Sequence, residues 1–244
     1  MKEKTIFQLI ADNHLLASAL HFLGIHFNNY SEHTLADICK ERGLNVEVVE
    51  SRIKDALKNE NKNEIRFEGL PIELLVEYLK HNHYIFIKQR LPFITDLIKN
   101  FDGDAPEIKK ELKLVFPLFI EDFIEHMYEE EDTLFTYILL LNKALKDQSI
   151  LNKVQAKMME NSIRQYQGEH EVHDDHLKGL RKLTNEFEIH SDFDLNTKVV
   201  ITELKKLDGE LRYHAKIEND ILFPKAIALE RQVLAMLRSK IALN

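Results

Sequence analysis

The stretch His126-Met127-Tyr128-Glu129-Glu130-Glu131-Asp132-Thr133-Leu134-Phe135 returns 88 residues later as His214-Ala215-Lys216-Ile217-Glu218-Asn219-Asp220-Ile221-Leu222-Phe223. The His, the Glu four residues on, the Asp and the closing Leu-Phe are identical in both copies. Upstream, Phe119 and Phe123 stand where Leu207 and Leu211 stand in the second copy. Residues three, four and seven apart share one face of an α-helix. Each copy therefore sets an imidazole and a carboxylate one turn apart on a stripe that is apolar before and after them. Polar groups repeated on a core-facing stripe need a partner there. A metal ion satisfies His plus Glu presented by two separate helices.

Working outward, four long helical patterns cover roughly 71–100, 106–146, 150–190 and 195–240. Asp102-Gly103-Asp104-Ala105-Pro106, Lys146-Asp147-Gln148-Ser149 and Ser191-Asp192-Phe193-Asp194 read as the turns between them. Short connections between long amphipathic helices imply antiparallel neighbours, so the fold class is all-α, an up-down four-helix bundle over residues 71–244. A small helical N-terminal domain over residues 1–62 precedes it. In that domain Ser31 or Thr34 starts a helix that Gly43 ends, and Asn45 caps a segment running to about Asn59. The polar stretch from Asn59 to Gly69 is the expected linker.

The other two bundle helices also carry inward histidines. Ile72, Leu75, Leu79, His83 and Phe86 form one core series, and His81 lies off it. Met159, Ile163, Tyr166, His170, His173, Leu177 and Leu180 step alternately by four and three, with His176 to the side. A single His on an apolar face is usually a hydrogen-bonded core residue. Convergence of His from all four helices with two His-x-x-x-Glu pairs points instead to a metal. Within the acidic run from Glu129 to Asp132, the repeat singles out Glu130. Its neighbours Glu129 and Glu131 face Ile217 and Asn219 in the second copy and read as a solvated face.

The lone Cys39 excludes multi-cysteine zinc and iron–sulfur sites as well as an intrachain disulfide. Mixed imidazole and carboxylate ligands suit iron or manganese, and six or more of them exceed the needs of one ion. Carboxylates from opposing helices are placed to bridge, so a bridged centre of two iron ions fits best. The spacing is neither the Glu-x-x-His of ferritin-like bundles nor the His-Glu-x-x-His of zinc peptidases.

These residues carry a resemblance to the hemerythrin-like superfamily and, within it, to the repair-of-iron-centres family. The family's closing motif is matched by His214, Glu218, Asn219, Leu222, Phe223 and Pro224. Its second-helix motif is matched by His126, Met127, Glu130, Glu131, Leu134 and Phe135. Glu169, His170, Leu183, Thr184 and Asn185 match the third helix, and Asn82, His83, Leu91 and Pro92 the first. The resemblance implies a non-haem di-iron centre bridged by Glu130 and Glu218, with His83, His126, His170 and His214 as terminal ligands. It also covers Leu23-Gly24-Ile25-His26-Phe27 and Thr34 to Cys39 of the N-terminal domain. Two departures stand out. Asn28 and Asn29 occupy the places of the family's Cys-Cys pair, and an amide has no thiol chemistry. No His lies between His83 and His126, where relatives supply a further ligand. Asp102, a water or His173 is the substitute, and the helical stripe favours His173.

The chain has 244 residues, 44% hydrophobic and 30% charged, with 7 Gly and 5 Pro. Scarce turn residues favour long helices. A net charge of −8 argues against nucleic acid as a partner. Asp12, Asn13 and His14 interrupt the N-terminal apolar stretch that a signal peptide needs, and no run reaches the roughly 18 apolar residues of a membrane span. A cytoplasmic location is expected. The resemblance implies defence against nitrosative or oxidative damage, with NO and O2 as small-molecule partners and iron–sulfur proteins as clients. An O2, NO or iron sensor or store without catalysis is the alternative of another class, and a metal-free helical interaction protein is the third.

Overall fold

The computed structural model describes residues 1–14, 16–23, 25, 30, 32–59, 67–173 and 177–242; for residues 22, 55–59, 169, 171–173 and 241–242 it describes the backbone only. The fold is an all-α helical bundle, and no strand forms among the described residues beyond an isolated antiparallel bridge between Thr5 and Thr34. Helices α1 (Ile6–Asp12), α2 (Leu16–Phe22), α3 (Leu35–Glu41) and α4 (Val46–Asn59) come first. The bundle elements are α5 (Ile72–Ile85), α6 (Leu91–Lys99), α7 (Pro106–Glu129), α8 (Thr136–Lys146), α9 (Leu151–Glu160), α10 (Ile163–His173), α11 (Lys178–Leu183), α12 (Leu195–Ile217) and α13 (Phe223–Ala242). No described helix is long and apolar enough to cross a membrane.

Two compact units emerge, and each gathers segments distant in sequence: 1–65, 90–117 and 179–208 in the first, 66–89, 118–178 and 209–244 in the second. The expected linker falls mostly at residues 60–66, outside the described residues.

In the first unit, local capping sets the short helices. Thr5 and Gln8 form a reciprocal capping box at α1, and Thr34 with Asp37 does the same at α3. Asn45 Oδ1 accepts from the Val48 N–H at 3.1 Å, capping α4 as its sequence suggests. Gly43 adopts φ +64°, the left-handed conformation that ends α3. Ile6, Ile10, Leu20, Leu35, Ile38 and Cys39 are buried, and His21 packs its ring 4.3 Å from Phe93. The buried pair Arg90–Glu203, 3.1 Å apart, adds a fixed polar contact.

The second unit packs its helices around Leu75, Leu79, Leu134, Phe135, Ile138, Leu222 and Phe223, all buried. Two departures from uniform α-helix shape it. The third helical pattern does not run unbroken from 150 to 190. Asn161 turns extended (φ −146°, ψ 142°), and Ser162 and Gln165 cap a new helix, with Ser162 N–H donating to Gln165 Oε1 at 2.7 Å. Met159, which the stripe places in the core, precedes this break and is 82% exposed. The far end of the same pattern belongs to the first unit, where after α11 the chain turns through three residues of positive φ, Asn185, Glu186 and Phe187, so the pattern also ends earlier than expected.

The second departure is a set of three wide π-helical turns, at Phe86–Arg90, Glu130–Phe135 and Glu218–Leu222. Pro92 follows the first; lacking an N–H, it cannot complete an ordinary α-ladder there. In the second, the Glu131 carbonyl accepts from Thr136 Oγ1 at 3.0 Å. Such turns concentrate at functional sites.

Where α8, α10 and α13 meet, the buried Glu230 carboxylate accepts from Tyr137 Oη at 2.8 Å and from the Ile163 N–H at 3.0 Å. Its removal strands two buried donors. Glu230→Ala is expected to lower the unfolding free energy by about 1–3 kcal/mol for each abandoned donor. Tyr137→Phe, which deletes only a donor, is expected to cost about 1 kcal/mol. Urea titrations of the two variants check the order.

Candidate metal centre

Six of the seven residues singled out from sequence come together in the second unit. His83 stands in the last turn of α5, His126 in the last turn of α7 and His214 in that of α12, while His170 lies on α10. Glu130 and Glu218 each open a π-turn, so both copies of the repeat reach the core through the same irregularity. His83, Glu130, His170, His214 and Glu218 are buried, and the His126 side chain is 22% exposed. His81 is exposed and stacks on Tyr84, which leaves His83 as the inward residue of the pair. His173 ends α10, but its side chain lies outside the described residues, as does the whole of His176. The Asp102 side chain is 91% exposed and accepts from Lys109 Nζ at 3.0 Å.

The ligating atoms fall into two overlapping groups, His83–Glu130–His214–Glu218 and His126–Glu130–His170. Glu130 belongs to both: its Oε2 lies 3.6 Å from His83 Nε2, and its Oε1 3.5 Å from His126 Nε2 and 3.1 Å from His170 Nε2. Glu218 reaches across as well, with Oε1 3.2 Å from His214 Nε2 and Oε2 2.9 Å from His170 Nε2. His83 Nε2 and His214 Nε2 are 3.1 Å apart.

The repeated phenylalanines now have a role. Phe135 stacks on His83 with ring centroids 5.5 Å apart, and Phe223 meets the His170 ring edge-on at 5.4 Å. Phe86 packs edge-on against His214 at 5.7 Å. These walls keep water away and raise the strength of every charge interaction inside.

Sequence reasoning missed Glu131. It was read as solvated, yet its Oε1 lies 3.0 Å from His83 Nδ1. A carboxylate can only accept, so Nδ1 carries the proton and Nε2 turns its lone pair toward the centre. Because Asn219 stands at this place in the second copy, matching identities between copies discards the residue. The adjacent Asp132 and Asp220, which the repeat does preserve, are exposed and take no part.

Electrostatics fit a cation. Burial pushes the Glu130 carboxyl up, and the facing Glu218 charge pushes it further. Burial opposes ionisation of Glu218 too, but the charge of His214 close to Oε1 and the hydrogen bond from His170 to Oε2 outweigh it and hold Glu218 well below the usual range. Burial and the neighbouring His214 lower His83 to about 3, so its ring is neutral at pH 7 and ready to ligate. Burial would lower His170, but hydrogen bonds to both carboxylates win and raise it to about 11. Without metal, the His170 imidazolium is thus the cation between two acids. Glu130 Oε1 and Glu218 Oε1 are buried and, despite their nearby imidazoles, accept no hydrogen bond of adequate angle. His214 Nδ1 also has none. Buried carboxylate oxygens left without a well-aligned donor, with imidazole nitrogens close by, are better satisfied by a metal ion than by the few protons available to them.

Comparison with known proteins agrees with this chemistry. Residues 74–226 match the hemerythrin HHE cation binding domain. The chain belongs to that family. The matched range includes all six clustered side chains. Iron-sulfur cluster repair protein YtfE from Escherichia coli O17:K52:H18 (strain UMN026 / ExPEC) is 22% identical over 200 residues, which are 81% of this chain and 84% of the relative. Its counterparts in Escherichia coli (strain K12 / DH10B) and Shigella boydii serotype 18 (strain CDC 3083-94 / BS512) are 22% identical over the same coverage.

The shifted histidines give the metal-free protein a pH signature. The unfolded chain protonates His83 near 6.5, the native state only near 3. The stability His83 contributes is therefore present above about pH 6.5 and lost as pH falls toward 3. For His170 the sign reverses: its contribution is complete below about 6.5 and lost as pH rises through about 11. In the chelated protein His83 is thus expected to lower the melting temperature as pH falls below about 6.5, and His170 to lower it as pH rises toward about 11. His83→Gln is expected to flatten the acid limb and His170→Gln the alkaline limb.

Proposed function

We propose that this HHE-domain chain is a non-haem di-iron protein of nitrosative and oxidative stress defence that assists repair of damaged iron–sulfur proteins. One observation carries the two-ion reading: Glu130 is common to two ligand groups drawn from four helices, and Glu218 contacts an imidazole in each. Glu130 and Glu218 act as the bridges, and His83, His126, His170 and His214 as terminal ligands. Two iron ions so held supply electron exchange and binding of small ligands. His173 is assigned as the additional ligand because it follows His170 by three residues on α10. Asp102 is solvated and already paired with Lys109.

The protein's own residues restrict what reaches the ions. A cavity of about 20 Å³ is lined by His126, Glu130, His170, His214 and Glu218 on its polar side and by Phe123, Met127, Leu211 and Ala215 on its apolar side. Its size suits one water or a diatomic molecule such as NO or O2. The repair role follows the names of the relatives, which are similar over most of their length. Thiol chemistry is not part of the proposal: Asn28 and Asn29, outside the described residues, replace a Cys pair, and Cys39 is buried.

Elemental analysis of protein from iron-replete cells is expected to give about two irons per chain, the count that the ligand number demands. Glu130→Ala and Glu218→Ala are each expected to lose at least one, whereas Glu129→Ala keeps both; unchanged content in the first two variants would sink the bridging assignment. Metal bound only to the folded state also stabilises it by mass action, so verified chelation should lower the melting temperature while helicity persists. Consumption of NO by the iron-loaded protein, absent from Glu218→Ala, separates a reactive centre from a passive store.

The additional ligand has its own test. His173→Ala is expected to weaken one iron and shift the visible absorption of the centre. Asp102→Ala removes only an exposed ion pair worth about 0–1 kcal/mol and should leave the metal alone. The opposite pattern would move the ligand to Asp102.

A further inference from the structure

The two ligand groups differ in surroundings as well as in membership. In the first, His83, Glu130, His214 and Glu218 are all buried, and Glu131 fixes His83 through a 3.0 Å contact to Nδ1. In the second, His126 is part-exposed and every member, His126, Glu130 and His170, borders the small cavity; of the first group His214, Glu130 and Glu218 border it too, and His83 alone does not. The repeat makes the contrast sharper. At the place of Glu131 the second copy has Asn219, so a carboxylate stands beside the bridging acid on one side and an amide on the other. A carboxylate behind a ligating imidazole raises its basicity and fixes its tautomer and orientation.

We propose that the two metal positions are unequal by construction: the ion between His83 and His214 is retained, the ion at His126 and His170 is the exchangeable one, and Glu131 is the positioning residue that secures the difference. This rests on the two-ion reading above. Escape of an ion needs a ligand that can swing away and water that can take its place. His126, part-exposed at the cavity wall, is within reach of water; His83, off the cavity, buried against Phe135 and held by Glu131, is not. The protein could therefore release one ferrous ion while the second continues to hold the helices together.

The test is release, not activity. Full-length metal-free protein is loaded anaerobically with two equivalents of ferrous ion and mixed with an excess of a chromogenic ferrous chelator. Two phases of equal amplitude are expected, their rates differing by about tenfold or more, the span over which such outer contacts act. His126→Ala, or His126→Gln if the first variant folds poorly, is expected to keep one ion and lose the fast phase. Glu131→Ala is expected to accelerate the slow phase about 10–100-fold without changing the stoichiometry, and Glu131→Gln, which retains an acceptor, to restore part of the difference. A single release rate for both ions in the unaltered protein overturns the inequality. A slow phase untouched in Glu131→Ala overturns the role of Glu131. Fewer than two ions bound before the chelator is added overturns the two-ion reading itself, and the inference with it.

Discussion

Two buried carboxylates, Glu130 and Glu218, face one another across the core of the second unit, and their mutual repulsion is the constraint that organises what surrounds them. An isolated ionised carboxylate in an apolar interior is costly enough that it normally neutralises or acquires a partner. Here every helical limb sends an imidazole toward the pair, and without metal His170 is driven to hold a proton between them. Aromatic rings close the space behind the imidazoles. The geometry that makes the metal-free state electrostatically demanding is the geometry that a divalent cation relieves. Metal binding and proton release are therefore two views of one exchange at the same atoms.

The fold class and most of the side chains that cluster in the second unit are legible in the sequence, and for a specific reason. A repeat separates signal from background: one His on an apolar face is ambiguous, but two His-x-x-x-Glu pairs in register with the same Leu-Phe are not. The distinction between His83 and His81 came from periodicity alone, because one turn of helix carries enough apolar neighbours to define its inner face. What stayed hidden depended on contacts between helices. Glu131 stands in the family motif, but its contact with His83 emerges only once α5 lies against the π-turn that carries it. The break at Asn161 had a local signature, Ser162 with Gln165 three residues on, but the continuous run of apolar residues through Met159 masked it. The π-turns leave no mark in a pattern built on a uniform period of 3.6 residues.

Compactness and chain order also part company. The first unit joins the N-terminal helices to residues 90–117 and 179–208, so sequence contiguity does not define it. Its fixed points are local caps at Thr5, Thr34 and Asn45 and a buried Arg90–Glu203 pair, whereas the second unit is fixed by its acidic centre. Asn28 and Asn29 fall in the first unit's sequence and the candidate ligand cluster in the second's, so the two features belong to separate parts of the chain.

The wide turns at Glu130–Phe135 and Glu218–Leu222 bear on how such a chain can change length over generations. Each turn amounts to an extra residue accommodated inside a helix, and excising it would rotate everything downstream by about 100°. Leu134, Phe135, Leu222 and Phe223 would swing off the core together, and the Glu before them would no longer share a face with the rings that shelter the site. The same irregularity sits at the same place in both copies, so the constraint applies to each inner helix alike. A residue added or removed in the connections leaves this register intact, whereas one added or removed inside the two inner helices does not, so their reading frame matters as much as the identity of the buried side chains they carry.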